Sequence, residues 1–184
     1  MNHLVIKKGS RISRRLADKI FSIWKKEFDN PEEKKEKFAD DIFFILRNSK
    51  KEIVSVGRLK PVKLKFMKND YHVLGIADVV SVVRKKGYGK RLMKEIKKYL
   101  KQKKKTGIGF CFRKNSGFYR KCGFGIARNQ VARFVYKNKK KKTYGDIDIN
   151  KADVDVIYFN GKDFFADKFL KNKKQDVKIY IPHW

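Results

Sequence analysis

The stretch that most restricts how this chain folds is Val79-Val80-Ser81-Val82-Val83 followed directly by Arg84-Lys85-Lys86-Gly87-Tyr88-Gly89-Lys90. Four valines within five residues, a nearly continuous apolar run, predict a strand covered on both faces. Leu92, Met93, Ile96, Tyr99 and Leu100 then recur at helical spacing, with lysines between them. Strand, glycine-bearing basic loop and amphipathic helix therefore follow one another without a spacer. Glycines let a backbone approach a ligand closely, and the free N–H groups of a helix's first turn attract anions. The junction predicts a phosphate site, although Arg84-x-x-Gly87-x-Gly89 fits neither GxxxxGK[ST] nor GxGxxG.

The rest of the chain reads as mixed strands and helices. Residues 4–7 predict a first strand, and Ser10 a cap for a helix whose apolar face carries Ile12, Leu16, Ile20, Ile23 and Trp24. Asn30-Pro31-Glu32-Glu33 predicts a second helix start. Residues 42–46 predict a buried strand. Residues 52–58, 63–67 and 71–83 predict a meander turning at Asn69-Asp70. Further strands are expected at 106–112, 131–136, 153–159 and 177–181. Short helices are expected at 115–121, ended by Gly123, and at 163–170. With 184 residues and no linker composition, a single domain spanning 1–184 is expected.

About thirty residues after the basic loop comes Gly117-Phe118-Tyr119-Arg120-Lys121-Cys122-Gly123-Phe124. R-x-x-G-x-G opening a helix, with FYxxxGF after the next strand, resembles the GNAT superfamily of N-acetyltransferases. The resemblance implies an α+β (α/β) fold: a mixed, mostly antiparallel, splayed sheet flanked by helices. It implies acetyl-CoA as cosubstrate and no metal. Arg84, Lys85, Lys86, Gly87, Tyr88, Gly89 and Lys90 would hold the pyrophosphate, and the main chain near Val80, Val82 and Val83 would pair with the pantetheine arm. Tyr119 would protonate the departing thiolate. A phenol with an ordinary pKa near ~10 keeps its proton at neutral pH, as that role needs. Asp78 stands where some relatives place a proton-relaying Glu; a bulge cap or an ion pair is the competing reading. His72 and His183 are weaker candidates for a base. Phe112 replaces the Asn that many relatives carry seven residues before this Tyr.

Charge adds a second expectation. The formal net charge is +30. Residues 84–142 carry 23 Lys/Arg and one acid, Glu95, whereas seven acids gather in 27–41 and six in 146–167. This polarity suggests a cationic primary amine acceptor between the acidic segments: a polyamine, an aminoglycoside-like sugar or a protein amine. The alternatives are a nucleic-acid-associated basic protein with a GNAT-like fold, or an acetyltransferase acting on tRNA or a ribosomal protein. Cys111 and Cys122 are too few for a disulfide framework or a four-ligand zinc site, and are expected as buried, reduced thiols. No signal-peptide layout and no long apolar run is present, so a cytoplasmic location with no membrane partner is expected.

Overall fold

A computed structural model describes residues 3–28, 35–136 and 153–180. They fall into two compact units, Met1–Lys60 with Ile76–Ile96, and Pro61–Gly75 with Lys97–Trp184. The chain passes from one to the other within strands β3 (Ile53–Phe66) and β4 (Asn69–Ser81) and within helix α2 (Tyr88–Lys103). The sheet is open and mostly antiparallel. Among the described residues no helix is long and apolar enough to cross a membrane.

In the first unit, β1 (His3–Lys8) pairs antiparallel with β2 (Ile42–Arg47), and β2 with the first half of β3. Helix α1 (Arg14–Phe28) places Ala17, Ile20 and Trp24 in a core shared with Phe38, Phe43, Ile45, Val56 and Val80. The helix cap is Ser13, whose Oγ accepts from Leu16 N at 3.4 Å, and not Ser10, which sits in a 3₁₀ turn. Ser10 is one turn too early because Ile12, although buried, precedes the helix. The expected helix start at Asn30 lies outside the described residues; Lys35–Phe38 is a single 3₁₀ turn.

In the second unit, β5 (Gly107–Phe112) pairs with β8 (Val154–Phe159), which pairs with β6 (Gly125–Ala127). Strand β9 (Val177–Ile179) lies antiparallel to the end of β3 and parallel to β7 (Phe134–Tyr136). Helices α3 (Arg113–Lys121) and α4 (Phe165–Lys171) complete it. Its core joins Leu64, Phe66, Tyr71, Phe134, Phe165 and Phe169, and the aromatic rings among them meet edge-to-face, tilted or stacked.

Four strand readings need correction, the first being 131–136, where Val131–Arg133 form a 3₁₀ turn and only Phe134–Tyr136 a strand. The expected strands 52–58 and 63–67 are one strand, β3, running through Pro61. Pro61 lacks an N–H, but β2 pairs with β3 only as far as Leu59 and β9 joins from Leu64, so Pro61 falls in the interval neither partner occupies. The hairpin turns at Met67-Lys68, both left-handed (φ 49° and 67°), and Asn69 instead opens β4 while its Nδ2 donates to Met67 O at 3.0 Å. The run 79–83 is not covered throughout: β4 stops at Ser81, and Val82 and Val83 are 49% and 40% exposed.

Candidate active site

The first unit holds most of the sequence-assigned positions in one continuous stretch. Val80 points into the core, and its carbonyl accepts from Ser55 Oγ at 2.7 Å. That fixes the end of β4. Val82 N donates to Val54 O at 3.0 Å, and Ser81 Oγ donates to Val83 O at 3.1 Å. Beyond this point the chain carries apolar side chains in water, a state that favours a partner.

The loop then turns sharply. Lys85 and Gly87 are left-handed, at φ 60° and 77°. A Cβ on Gly87 would meet nothing, so glycine is needed there for conformation and leaves an open approach to the backbone. Arg91 N donates to Gly87 O at 3.0 Å, which closes the first turn of α2. The N–H groups of Tyr88, Gly89 and Lys90 precede that bond and have no acceptor within the helix. No acidic residue occupies this first turn, while Arg84, Lys85, Lys86 and Lys90 are exposed around it. Arg84 reaches Glu27 at 2.7 Å on the surface. An electropositive helix start without a carboxylate of its own, beside an open glycine, fits a pyrophosphate.

Asp78 precedes this stretch in a left-handed kink of β4 (φ 49°). Trp24 Nε1 donates to its carbonyl at 2.9 Å. Its Oδ2 accepts from Arg58 Nε at 2.5 Å, and the same guanidinium donates through a second nitrogen to Asp41. The side chains of Arg58, Asp41 and Asp78 are 7%, 3% and 19% exposed. The guanidinium also lies 4.8 Å from the Phe38 ring centre and 5.7 Å from that of Trp24. Burial raises the Asp41 carboxyl above its ordinary pKa, and the adjacent Arg58 opposes that shift. Asp78 thus joins the competing reading, kink plus ion pair, with a proton-acceptor role left to the edge that reaches solvent.

Tyr119 belongs to the second unit. It sits on α3 beside Phe118, ring centres 5.1 Å apart. Burial pushes its phenol well above the ordinary value, and the Cys111 and Cys122 thiols add to the effect. Helix α3 is pinned from below: Ser116 Oγ donates to Asp155 Oδ2 at 2.7 Å, and Cys111 Sγ lies 3.6 Å from the same hydroxyl. Asp155 is fully buried, and Arg113 Nε stands 3.5 Å from its other oxygen. Gly123 (φ 85°) ends the helix as expected. Cys111 and Cys122 are buried free thiols, and burial raises that of Cys111. His72 is exposed, and His183 lies outside the described residues.

Of the acids expected to face a cationic acceptor, Asp29, Glu32, Glu33, Asp146 and Asp148 lie outside the described residues, and several of the described ones are engaged within the fold. Asp41 and Asp155 are buried, Asp40 pairs with Lys8 at 2.9 Å, and Asp163 accepts from Thr106 Oγ1 at 2.5 Å. Arg58 and Ser116 went unnoticed in the sequence, and Asp41 and Asp155 were expected only as acids facing an acceptor, not as buried partners of those two; a charge set inside an apolar strand was the available signal for Arg58 and Asp155.

Residues 10–127 match the model of the acetyltransferase (GNAT) domain, well over half of the 184 residues. The chain belongs to the GNAT acetyltransferase family. Its fold agrees with solved GNAT-type structures at low identity. An acyl-CoA N-acyltransferase from Pseudomonas aeruginosa superposes with a TM-score of 0.58 at 10% identity, over 86% of this chain and 99% of that one. The Escherichia coli GNAT family N-acetyltransferase YhbS, solved in complex with CoA, gives 0.57 at 10% identity over 97% and 89%. A conserved Enterococcus faecalis protein of unknown function gives 0.56 at 18% identity over 68% of this chain, which spans 33% of that protein's length. No curated protein sequence matches. The matched domain is that of an N-acetyltransferase, a family that draws its acetyl group from acetyl-CoA.

Proposed function

We propose that the whole chain, residues 1–184, works as one acetyltransferase domain that moves an acetyl group directly onto a primary amine. The observation that carries this is the junction at the end of β4: exposed Val82 and Val83, left-handed Lys85 and Gly87, and an acid-free, lysine-ringed start of α2. Acetyl-CoA supplies the acetyl group already activated as a thioester. Residues 84–90 hold the pyrophosphate through backbone N–H groups, with the lysines adding charge attraction. The main chain at Val80, Val82 and Val83 lines the pantetheine arm. The amine must be neutral to attack, forming the C–N bond as the C–S bond breaks. Tyr119 gives its proton to the departing sulfur. Asp78, through water at its solvent-reaching edge, receives the proton that the amine sheds.

Gly89→Asp is expected to weaken acetyl-CoA binding by at least about tenfold in calorimetry. A carboxylate there repels the pyrophosphate, yet in a helix's first turn it favours the helix by roughly 0.3–1 kcal/mol, so the fold survives. Equal affinity in the variant and the wild type would move the site elsewhere.

Asp78→Asn keeps an oxygen for Arg58 but cannot take a proton. Its turnover is expected to fall most at low pH, where the amine arrives protonated, and to recover as pH rises. A uniform loss across pH would leave Asp78 a purely structural residue.

A further inference from the structure

The second unit contains a cleft that the transferase chemistry does not use. It has a volume of about 520 Å³ and lies against the first residues of β4, the chain entering β5 and the loop leading to α4. Lys105, Lys162, Lys168, His72, Tyr71 and Phe164 form its working surface.

The cleft is built by a close backbone crossing. A Cβ on Gly161 would lie 2.4 Å from both Lys105 C and Thr106 N, so only glycine admits the approach. Gly161 N donates to Thr106 Oγ1 at 2.8 Å, and Lys162 N donates to Lys104 O at 3.1 Å. Lys162 is thereby set against Lys105. The two carboxylates in the cleft are turned to other partners. Asp163 accepts from Thr106 Oγ1 at 2.5 Å and from Phe165 N at 3.0 Å, and Asp70 pairs with Lys63 at 2.9 Å. Lys105 and Lys162 are exposed, with no carboxylate partner among the described residues. Lys168 Nζ stands 5.3 Å from the Tyr71 ring centre.

Phe164 is the decisive feature. It is left-handed (φ 50°) and 58% exposed. A bulky residue in that conformation is strained, and a phenyl ring in water gains nothing from it. Strain that presents a ring beside three ammonium groups is the arrangement a nucleotide calls for: a face for the base and cations for the phosphates. The cleft is open, so a strand can pass through it. The sequence of the same unit is strongly basic, with 12 Lys/Arg and no acid over residues 97–136.

We propose that this cleft binds a single-stranded nucleic acid, stacking one base on Phe164 while Lys105, Lys162 and Lys168 take the adjoining phosphates. This site is independent of the acetyl-transfer reading.

The test is fluorescence anisotropy on the full chain with a fluorescein-labelled oligouridylate of about ten nucleotides, within the length one such site spans. Titrations run at several salt concentrations, with UMP and a duplex of equal length as competitors. Lys162→Glu/Lys168→Glu is expected to weaken binding at least about tenfold and to flatten the log–log salt slope by roughly 1.4, about 0.7 for each phosphate no longer neutralised. Phe164→Ala is expected to weaken binding by about five- to a hundredfold while leaving the salt slope unchanged, because stacking releases no counterion. Phe164→Trp restores binding. Unfolding midpoints and acetyl-CoA affinity matching the wild type confirm that each variant is folded. Wild-type affinity in Phe164→Ala would reduce the interaction to diffuse charge and overturn the proposal. So would a duplex that competes as well as the single strand, or UMP that competes equally well, which would make this a free-nucleotide site.

Discussion

Tyr119→Phe is expected to lower kcat for acetyl transfer by about 10²–10⁴-fold, the usual contribution of a positioned acid, and to leave acetyl-CoA affinity nearly unchanged. The substitution removes one hydroxyl and keeps the ring that meets Phe118. The position of α3 does not depend on that hydroxyl, because the Ser116–Asp155 hydrogen bond holds the helix. Burial raises the phenol's pKa above its ordinary value of 10.0, which has two consequences. The proton is always present at working pH. The phenol therefore meets the charge growing on sulfur with a hydrogen bond and gives up its proton as the C–S bond breaks. The sign for stability follows from the raised pKa: the contribution of the neutral phenol is complete below about pH 10 and is lost only as pH climbs through the higher folded value. Turnover should therefore rise with pH as the amine deprotonates, with no decline below about pH 10 that belongs to Tyr119. Initial rates of wild type and variant between neutral and alkaline pH check both points. Unchanged kcat in the variant would make Tyr119 a packing residue.

Arg58→Met is expected to destabilise the protein by about 3–5 kcal/mol, the range for removing one partner of a buried ion pair. The arginine is 7% exposed and joins two carboxylates from different parts of the first unit, Asp41 ahead of β2 and Asp78 in the kink of β4. Without it, two largely buried carboxylates lose their shared cation, which in the wild type lies against the Phe38 and Trp24 rings. Burial already raises the Asp41 carboxyl, and loss of the opposing cation raises it further. The variant's deficit should therefore shrink as pH falls and the Asp41 carboxyl takes up a proton. Urea denaturation at neutral and mildly acidic pH measures this. The triple variant Asp41→Asn/Arg58→Met/Asp78→Asn should recover part of the loss, since no uncompensated charge stays buried. A deficit below about 1 kcal/mol, the worth of an exposed pair, would show that water reaches the network.

The junction of strand, glycine loop and helix proposed to take the pyrophosphate was legible in the sequence because its conformation is set locally. Gly87, the lysines and the apolar residues of α2 lie within one short stretch, and helix starts follow from neighbours in sequence. Helix α3 and its Gly123 stop were legible for the same reason. The Arg58 network was not, because its members stand 17 and 20 residues from Arg58 and meet only through strand register, which sets Arg58 opposite Phe43. The Ser116–Asp155 bond spans 39 residues and was hidden likewise. Val82 and Val83 misled in the other direction: an apolar run reads as a covered strand even where its last residues are left exposed. Pro61 misled because its effect on a strand depends on which neighbours are paired at that point, and no local pattern carries that information.

Direct transfer is tested most directly by following thiol release from acetyl-CoA across a panel of primary amines, with mass spectrometry of both acceptor and protein during turnover. The expected result is release that depends on one class of amine, one acetyl group on each acceptor consumed, and unmodified protein throughout. Release that no amine accelerates, or an acetyl group found on Cys111 or Cys122 before it reaches the acceptor, would contradict direct transfer to an amine.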